Sequence, residues 1–190
     1  MLSRFKLYAI LLILVLAGSL VYYANTPSFW LILALLVFSS SKFLPEFAGC
    51  RWVPSRTTAV KKMLDIANLK PGDCVYDLGS GDGRIIIGAA KRDAHAIGIE
   101  IDPLKCILTW LRIKKNKLTN AKIKWGNFFK VDFKDADVVF LYLLPETLQK
   151  MEKSLKKLKK GSRIVSHGFK FNGLKQIKSL EKEQIYLYKI

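Results

Sequence analysis

Residues 75–84 read Val75-Tyr-Asp-Leu-Gly-Ser-Gly-Asp-Gly-Arg84. A short apolar strand over 74–78 runs into three alternating glycines, Gly79, Gly81 and Gly83, and a helical run follows over 83–92. Glycine has no Cβ, so it takes positive φ readily and lets backbone approach a ligand closely. A glycine turn between a strand and a helix is therefore a place to lay a nucleotide-like cofactor against main-chain amides. The spacing narrows the choice. A dinucleotide fingerprint, G-x-G-x-x-G, would need a third glycine where Arg84 stands, so a Rossmann oxidoreductase is disfavoured. What stands instead is D-x-G-x-G-x-G, opened by Asp77 at the end of the strand.

A second acid lies at the matching distance. Ala96-Ile-Gly-Ile-Glu-Ile-Asp102 reads as the next strand, and Glu100 falls 23 residues after Asp77. Nucleotide sites in α/β sheets place a ribose-binding carboxylate about 20 residues on. A carboxylate suits vicinal hydroxyls because its two oxygens accept several hydrogen bonds. For either feature alone the competing reading is plain: solvated acids at strand ends, and glycines that merely turn the chain.

Outward from this unit the chain alternates. Val60, Leu64 and Ala67 recur at helical spacing over 56–68, and Lys70-Pro-Gly-Asp73 stops the run. The pattern then predicts strand 74–78, helix 83–92, strand 95–100, helix 103–117, strands 121–125 and 136–142, helix 145–159 and strand 162–167. Two last strands fall near 174–178 and 184–189. Alternation of this kind argues for an α/β fold with a parallel, doubly wound sheet, and the last two strands suit an antiparallel hairpin at one edge. No insertion is long enough to form a lid, which leaves the strand ends open to a group protruding from a macromolecule.

The amino terminus has a different composition. Leu7 to Tyr23 is 17 residues without a charge, Asn25-Thr-Pro-Ser28 interrupts it, and a second uncharged run extends from Phe29 to Ser41. Arg4 and Lys6 precede the first run and Lys42 ends the second, while the linking loop has no charge. The positive-inside rule makes this a membrane anchor over 1–46, a helical hairpin of spans 7–23 and 29–44, with residues 47–190 as a domain facing the cytoplasm. The alternatives are a single span with the second run lying in the interface, or a signal peptide cleaved near Leu16-Ala-Gly-Ser19.

The net charge is +17, and beyond residue 42 the chain holds 29 basic and 15 acidic residues, an excess of +14. Such an excess implies an anionic partner, either nucleic acid or an anionic membrane surface, with a lysine-rich solvated surface as the bland alternative. Cys50, Cys74 and Cys106 are widely spaced, so neither a disulfide framework nor a zinc site is expected. His95 and His167 have no second ligand nearby in sequence.

The motif opened by Asp77, with Glu100 after it, resembles motif I of class I S-adenosylmethionine-dependent methyltransferases. The resemblance covers roughly residues 53–190 and implies their seven-stranded, Rossmann-like sheet. Pro54-Ser-Arg56, Gly126-Asn-Phe128, Tyr142-Leu-Leu-Pro145 and Ser166-His-Gly168 resemble a narrower family. It includes the archaeal broad-specificity protein lysine methyltransferases and the mitochondrial enzymes that methylate the adenine nucleotide translocase and the ATP synthase c-subunit. What this implies is an enzyme that transfers methyl from S-adenosyl-L-methionine to lysine side chains of a protein, with membrane proteins among the candidate acceptors.

The resemblance assigns cofactor contacts to Asp77, Gly79, Ser80, Gly81 and Gly83, to Glu100 and Ile101, to Asn127 and Phe128, and to Ser55. Asn127 stands where many relatives have an acid for the adenine amino group, and its amide carbonyl is the acceptor here. Ser55 also reads as an ordinary helix N-cap. Tyr142, Pro145 and Glu146 are the catalytic candidates, with Tyr142 orienting an amine and Glu146 offsetting the charge of an incoming ammonium. Packing of Tyr142 at a strand end and Glu146 as a first-turn helix acid are the structural alternatives. The rival functions are methylation of nucleic acid, which normally shows an N/D-P-P-Y/F signature that Leu143-Leu-Pro-Glu146 lacks, methylation of a lipid or small molecule, and a tethered cofactor binder without turnover.

Overall fold

The computed structural model describes residues 18–19, 22–24, 26–32, 35 and 57–190. The chain divides into two units, residues 1–40 and 41–190. In the first, the described residues are helical apart from a bend at Thr26, whose hydroxyl donates to the Tyr23 carbonyl at 2.7 Å. Among the described residues no helix is long and apolar enough to cross a membrane. Most of the two spans predicted from the sequence, 7–23 and 29–44, lies outside the described residues.

In the second unit seven strands form one sheet: β1 (Cys74–Leu78), β2 (His95–Glu100), β3 (Ala121–Trp125), β4 (Val138–Leu141), β5 (Arg163–His167), β6 (Gln176–Leu180) and β7 (Ile185–Lys189). Their order is β3-β2-β1-β4-β5-β7-β6. The pairs among β1 to β5 are parallel, and β7 is antiparallel to both its neighbours. This is the mixed sheet that the sequence pattern predicts. β7 enters between β5 and β6, so the hairpin joins the sheet by its second strand.

Helices α1 (Thr57–Ile66), α2 (Arg84–Ala90), α3 (Pro103–Lys115) and α4 (Pro145–Leu155) cover the sheet. Side chains alternate along each strand, and the two faces collect separate cores. Val75, Val138 and Phe140 pack with Met63 of α1, Ile86 of α2 and Ile113 of α3. Tyr76, Val139 and Leu141 pack with Leu148, Met151 and Leu155 of α4.

Several elements end earlier than the pattern predicts, each for a local reason. α1 stops at Ile66 because Asn68 turns left-handed, with φ 49°. α3 stops at Lys115 for the same reason at Lys117, φ 53°. α4 tightens after Leu155 into bonds three residues apart, Lys157 N to Ser154 O and Leu158 N to Leu155 O. Its apolar stripe thus remains in the core as far as Leu158 while the helix itself has ended.

Candidate active site

The strand order reverses at β1, which has β2 on one side and β4 on the other, and ligands in open α/β sheets bind at the carboxyl ends of the strands at such a point. The glycine loop leaves β1 there. Gly79, Gly81 and Gly83 have φ of 85°, 56° and 77°, all in the left-handed region that side chains disfavour. The amides of Gly79 and Ser80 donate to the Ile99 carbonyl of β2, at 2.9 and 3.0 Å, which ties the loop to the neighbouring strand. Gly83 caps α2 without a side-chain bond.

The loop is held from outside by arginines. Arg84 Nε and Nη2 donate to the two oxygens of Asp82 at 2.8 and 2.6 Å, and Arg112 of α3 reaches the same carboxylate at 2.8 Å. The bonds from Arg84 hold the Asp82 carboxyl down at about 2 despite partial burial. Arg112 also donates to the Asp82 main-chain carbonyl, and the Thr109 hydroxyl to that of Gly81. In the sequence, Arg84 serves only to exclude a dinucleotide fold. Its role as a bidentate partner of Asp82 is accessible from the Asp-x-Arg spacing, but the convergence of α3 on the loop is not.

Inside the loop lie two acids. Asp77 is buried, and desolvation first, then the charges of Glu100 and Asp82, push its carboxyl up to about 8. Glu100, also buried, accepts from Gly81 N at 2.7 Å through Oε2 and from Ile101 N and Asp102 N at 2.9 Å through Oε1. An ionised carboxylate has about four acceptor positions. Three are used by the main chain, and one remains on Oε2 for a ligand hydroxyl. Ile101 meets Glu100 through its amide. Ser80 Oγ is the buried side-chain polar atom that finds no partner among the described residues. It lies under the loop beside Gly98, where a Cβ would come within 2.6 Å of it.

These residues fit a cationic nucleoside. A buried carboxyl pair stabilises positive charge, the free position on Glu100 suits a ribose hydroxyl, and the left-handed glycines expose main chain. The adenine end is less open than the sequence implies. Asn127 Oδ1 accepts from Phe129 N at 2.9 Å as the cap of a 3-10 turn, Phe128–Lys130, which leaves one lone pair on that oxygen. Phe128 is buried, with its ring centroid 4.7 Å from that of half-exposed Phe129. Ser55 lies outside the described residues.

On the other side of the loop stands the end of β4. A Cβ on Gly79 would lie 3.7 Å from Leu143 Cδ2, so this segment abuts the glycine loop. Tyr142 packs its ring on His167 at the end of β5, with centroids 4.2 Å apart and an interplanar angle of 38°. The ring also lies on Gly168, whose φ is 85°. Burial lowers the His167 pKa, so its imidazole is neutral near neutral pH. The sequence marks Tyr142 and His167 separately; the parallel pairing of β4 with β5 brings them together. Pro145 occupies the first position of α4, and Glu146 is exposed in its first turn, where the helix dipole favours an acid. Among the described residues no cluster of His, Cys, Asp and Glu is placed to hold a metal ion.

Known proteins are similar to this chain. Residues 77–178 match the model of the ANTKMT methyltransferase domain. A protein-lysine N-methyltransferase of Saccharolobus islandicus is 40% identical over 149 residues, 73% of this chain and 92% of that protein. The lysine N-methyltransferase of the ATP synthase c-subunit from Xenopus laevis is 31% identical over 122 residues, 63% of this chain but only 54% of that protein's length. The crystal structure of an RNA methyltransferase from Salinibacter ruber with S-adenosyl-L-homocysteine is 35% identical, covers 73% of this chain and 94% of that one, and superposes with a TM-score of 0.67. This chain belongs to the ANTKMT methyltransferase domain family, and it is a methyltransferase whose cofactor is S-adenosylmethionine.

Proposed function

We propose that the chain methylates lysine side chains of a protein. The observation that carries this reading is the 40% identity along 92% of a protein-lysine N-methyltransferase. The geometry agrees with it. Half-exposed apolar residues follow the ends of two neighbouring strands, Leu144 after β4 and Phe169 after β5, and a third, Phe129, follows the edge strand β3. Leu144 and Phe169 each follow by two residues a member of the Tyr142–His167 ring pair, so this end of the sheet has an exposed apolar character suited to the aliphatic stem of a long side chain. An enclosed small-molecule site would bury most of its ligand instead.

When bound, the cofactor supplies an electrophilic methyl group on a sulfonium. The chain's residues have two tasks. One is positioning: the ring of Tyr142, fixed by His167 and Gly168, orients the acceptor amine for in-line attack. The other is proton removal, because lysine is ordinarily charged near neutral pH and only the free amine attacks. The neutral imidazole of His167 is the acceptor at the rim, and Glu146 offsets the positive charge of the approaching ammonium. Asp77 and Glu100 hold the cofactor's cationic and ribose ends.

The hydrophobic runs 7–23 and 29–44 anchor the domain at a membrane with the catalytic part in the cytoplasm, and the basic residues flanking both runs on one side support this orientation. A second reading, methylation of RNA, draws on the Salinibacter ruber relative and on the net charge of +17. Acceptor mapping separates the two. With methyl-labelled cofactor, label resides on lysine Nζ of an acceptor protein and disappears when that lysine is replaced by arginine. Label that persists after every candidate lysine has been replaced would reject lysine as the acceptor.

A further inference from the structure

Helix α3 has two apolar faces, and the fold uses one. Its cap Asp102, together with Thr109 and Ile113, is buried toward the sheet. At about 100° per residue, Leu104, Ile107, Leu108 and Leu111 fall on the opposite side, an i, i+3, i+4, i+7 stripe of the kind that normally faces a core. Here it faces outward: Ile107, Leu108 and Leu111 are 54%, 52% and 51% exposed, and Trp110 beside them is 50% exposed. Trp125, 71% exposed, stands at the amino-terminal end of the helix and donates from Nε1 to the Ile101 carbonyl at 2.9 Å.

Charge around the stripe is of one sign. α3 has no acid after its cap Asp102, which pairs with Lys105 at 3.1 Å. Lys114, Lys115 and Lys117 crowd the carboxyl-terminal end, with Lys114 Nζ 5.9 Å from the centroid of the Trp110 ring. Leucine and tryptophan on one side of a helix, rimmed by lysine, is the composition of helices that lie in a lipid interface. A second copy of the chain on this face would set two lysine clusters together in a protein already at +17. An anionic lipid surface supplies the opposite charge.

We propose that the outer face of α3 rests on an anionic lipid surface, with the stripe entering the headgroup boundary and Lys114, Lys115 and Lys117 meeting lipid phosphates. The inner face of the same helix holds the glycine loop through Thr109, Arg112 on its exposed flank donates to the Asp82 carbonyl, and α3 begins at Pro103, three residues after Glu100. Docking therefore sets the carboxyl rim of the sheet beside the headgroups, where the loops of membrane proteins emerge. This surface is independent of the lysine reading, because lipid contact is measured without any methyl acceptor.

The test uses the full chain reconstituted in vesicles of phosphatidylcholine, with or without phosphatidylglycerol, carrying brominated acyl chains. The Trp110 signal is the difference between the wild type and Trp110→Phe. Brominated lipid is expected to quench that signal strongly in the anionic vesicles and weakly in the neutral ones. Lys114→Gln/Lys115→Gln/Lys117→Gln should lose the dependence on anionic lipid, and Leu108→Ser/Leu111→Ser should lose the quenching itself. Retained S-adenosylmethionine binding shows that each variant is folded. An unquenched Trp110 in anionic vesicles, or quenching unchanged in the triple lysine variant, would overturn the proposal. So would a Trp110 already shielded from aqueous iodide before lipid is added, since the chain itself or a second copy would then cover the stripe.

Discussion

Thr109 of α3 fills the space that any side chain at residue 83 would need: the first atom added to Gly83 would overlap the Thr109 methyl group and sit 3.0 Å from its hydroxyl oxygen. The glycine is required twice, by this neighbour and by its φ of 77°. Gly83→Ala is expected to lose about 1–2 kcal/mol through the left-handed backbone and about 1–3 kcal/mol through overpacking. Thr109→Ser removes the clashing methyl, so the double variant should recover part of the loss. Thermal denaturation of the three variants checks this, and an equally damaged double variant would show that packing plays no part.

A similar contact governs the acceptor side. A Cβ on Gly168 would come within 2.9 Å of Tyr142 Cε2, at a residue whose φ is 85°. Gly168→Ala should tilt the Tyr142 ring off His167 and lower kcat by about tenfold or more, as misplacement of an acceptor does. Cofactor affinity should change little, because the glycine loop lies on the other side of Leu143. Steady-state kinetics beside cofactor titration separates the two effects.

Asp77 makes the chain sensitive to pH in the absence of cofactor. Its carboxyl titrates near 8 in the folded chain against an ordinary value of 3.8. The folded state therefore holds this proton more tightly than the unfolded state. The resulting stabilisation is complete below about pH 4 and disappears as pH rises through about 8. Asp77→Asn should remove that slope, so the variant gains stability relative to wild type between pH 5 and pH 8 in the absence of cofactor, by roughly 1–3 kcal/mol. Binding of the cationic cofactor calls for the carboxylate, so wild-type affinity should fall as pH drops below 8 while the variant's stays flat. Denaturant midpoints and cofactor titrations at the two pH values are the measurements.

Glu100 holds the glycine loop through Gly81 N and is the proposed contact for a ribose hydroxyl. Replacing it with glutamine turns one acceptor oxygen into a donor, opposite either Gly81 N or the paired amides of Ile101 and Asp102. Glu100→Gln should weaken cofactor binding by about 1.5–3 kcal/mol, the range for hydrogen bonds to a charged group. Calorimetric titration with S-adenosyl-L-homocysteine reads this without turnover.

Most of the sheet is legible in the sequence because apolar alternation and glycine punctuation are local signals. β1, β2 and β3 fall where the pattern places them. β4 is shorter, Val138–Leu141 within the predicted 136–142, although Asp137 still bonds both neighbours through its main chain, donating to Cys74 O at 2.8 Å and accepting from Arg163 N at 2.9 Å. Asp77 and Glu100 are legible for the same reason, since they stand at the carboxyl ends of β1 and β2. What stays hidden depends on contacts far apart in sequence: Arg112 on Asp82, 30 residues away, and the Tyr142 ring on His167. The outward stripe of α3 is hidden differently. Its spacing is that of a core face, and only the packed structure shows that the sheet takes the other side.

The identity of the acceptor is the central claim, and one labelling experiment bears on it most directly. The full chain is supplied with methyl-tritiated S-adenosylmethionine and a lysate that retains its membranes, and the products are divided among protease, nuclease and lipid extraction. The account expects label that only protease releases and that maps to lysine Nζ. Label released by nuclease or extracted with lipid would contradict it.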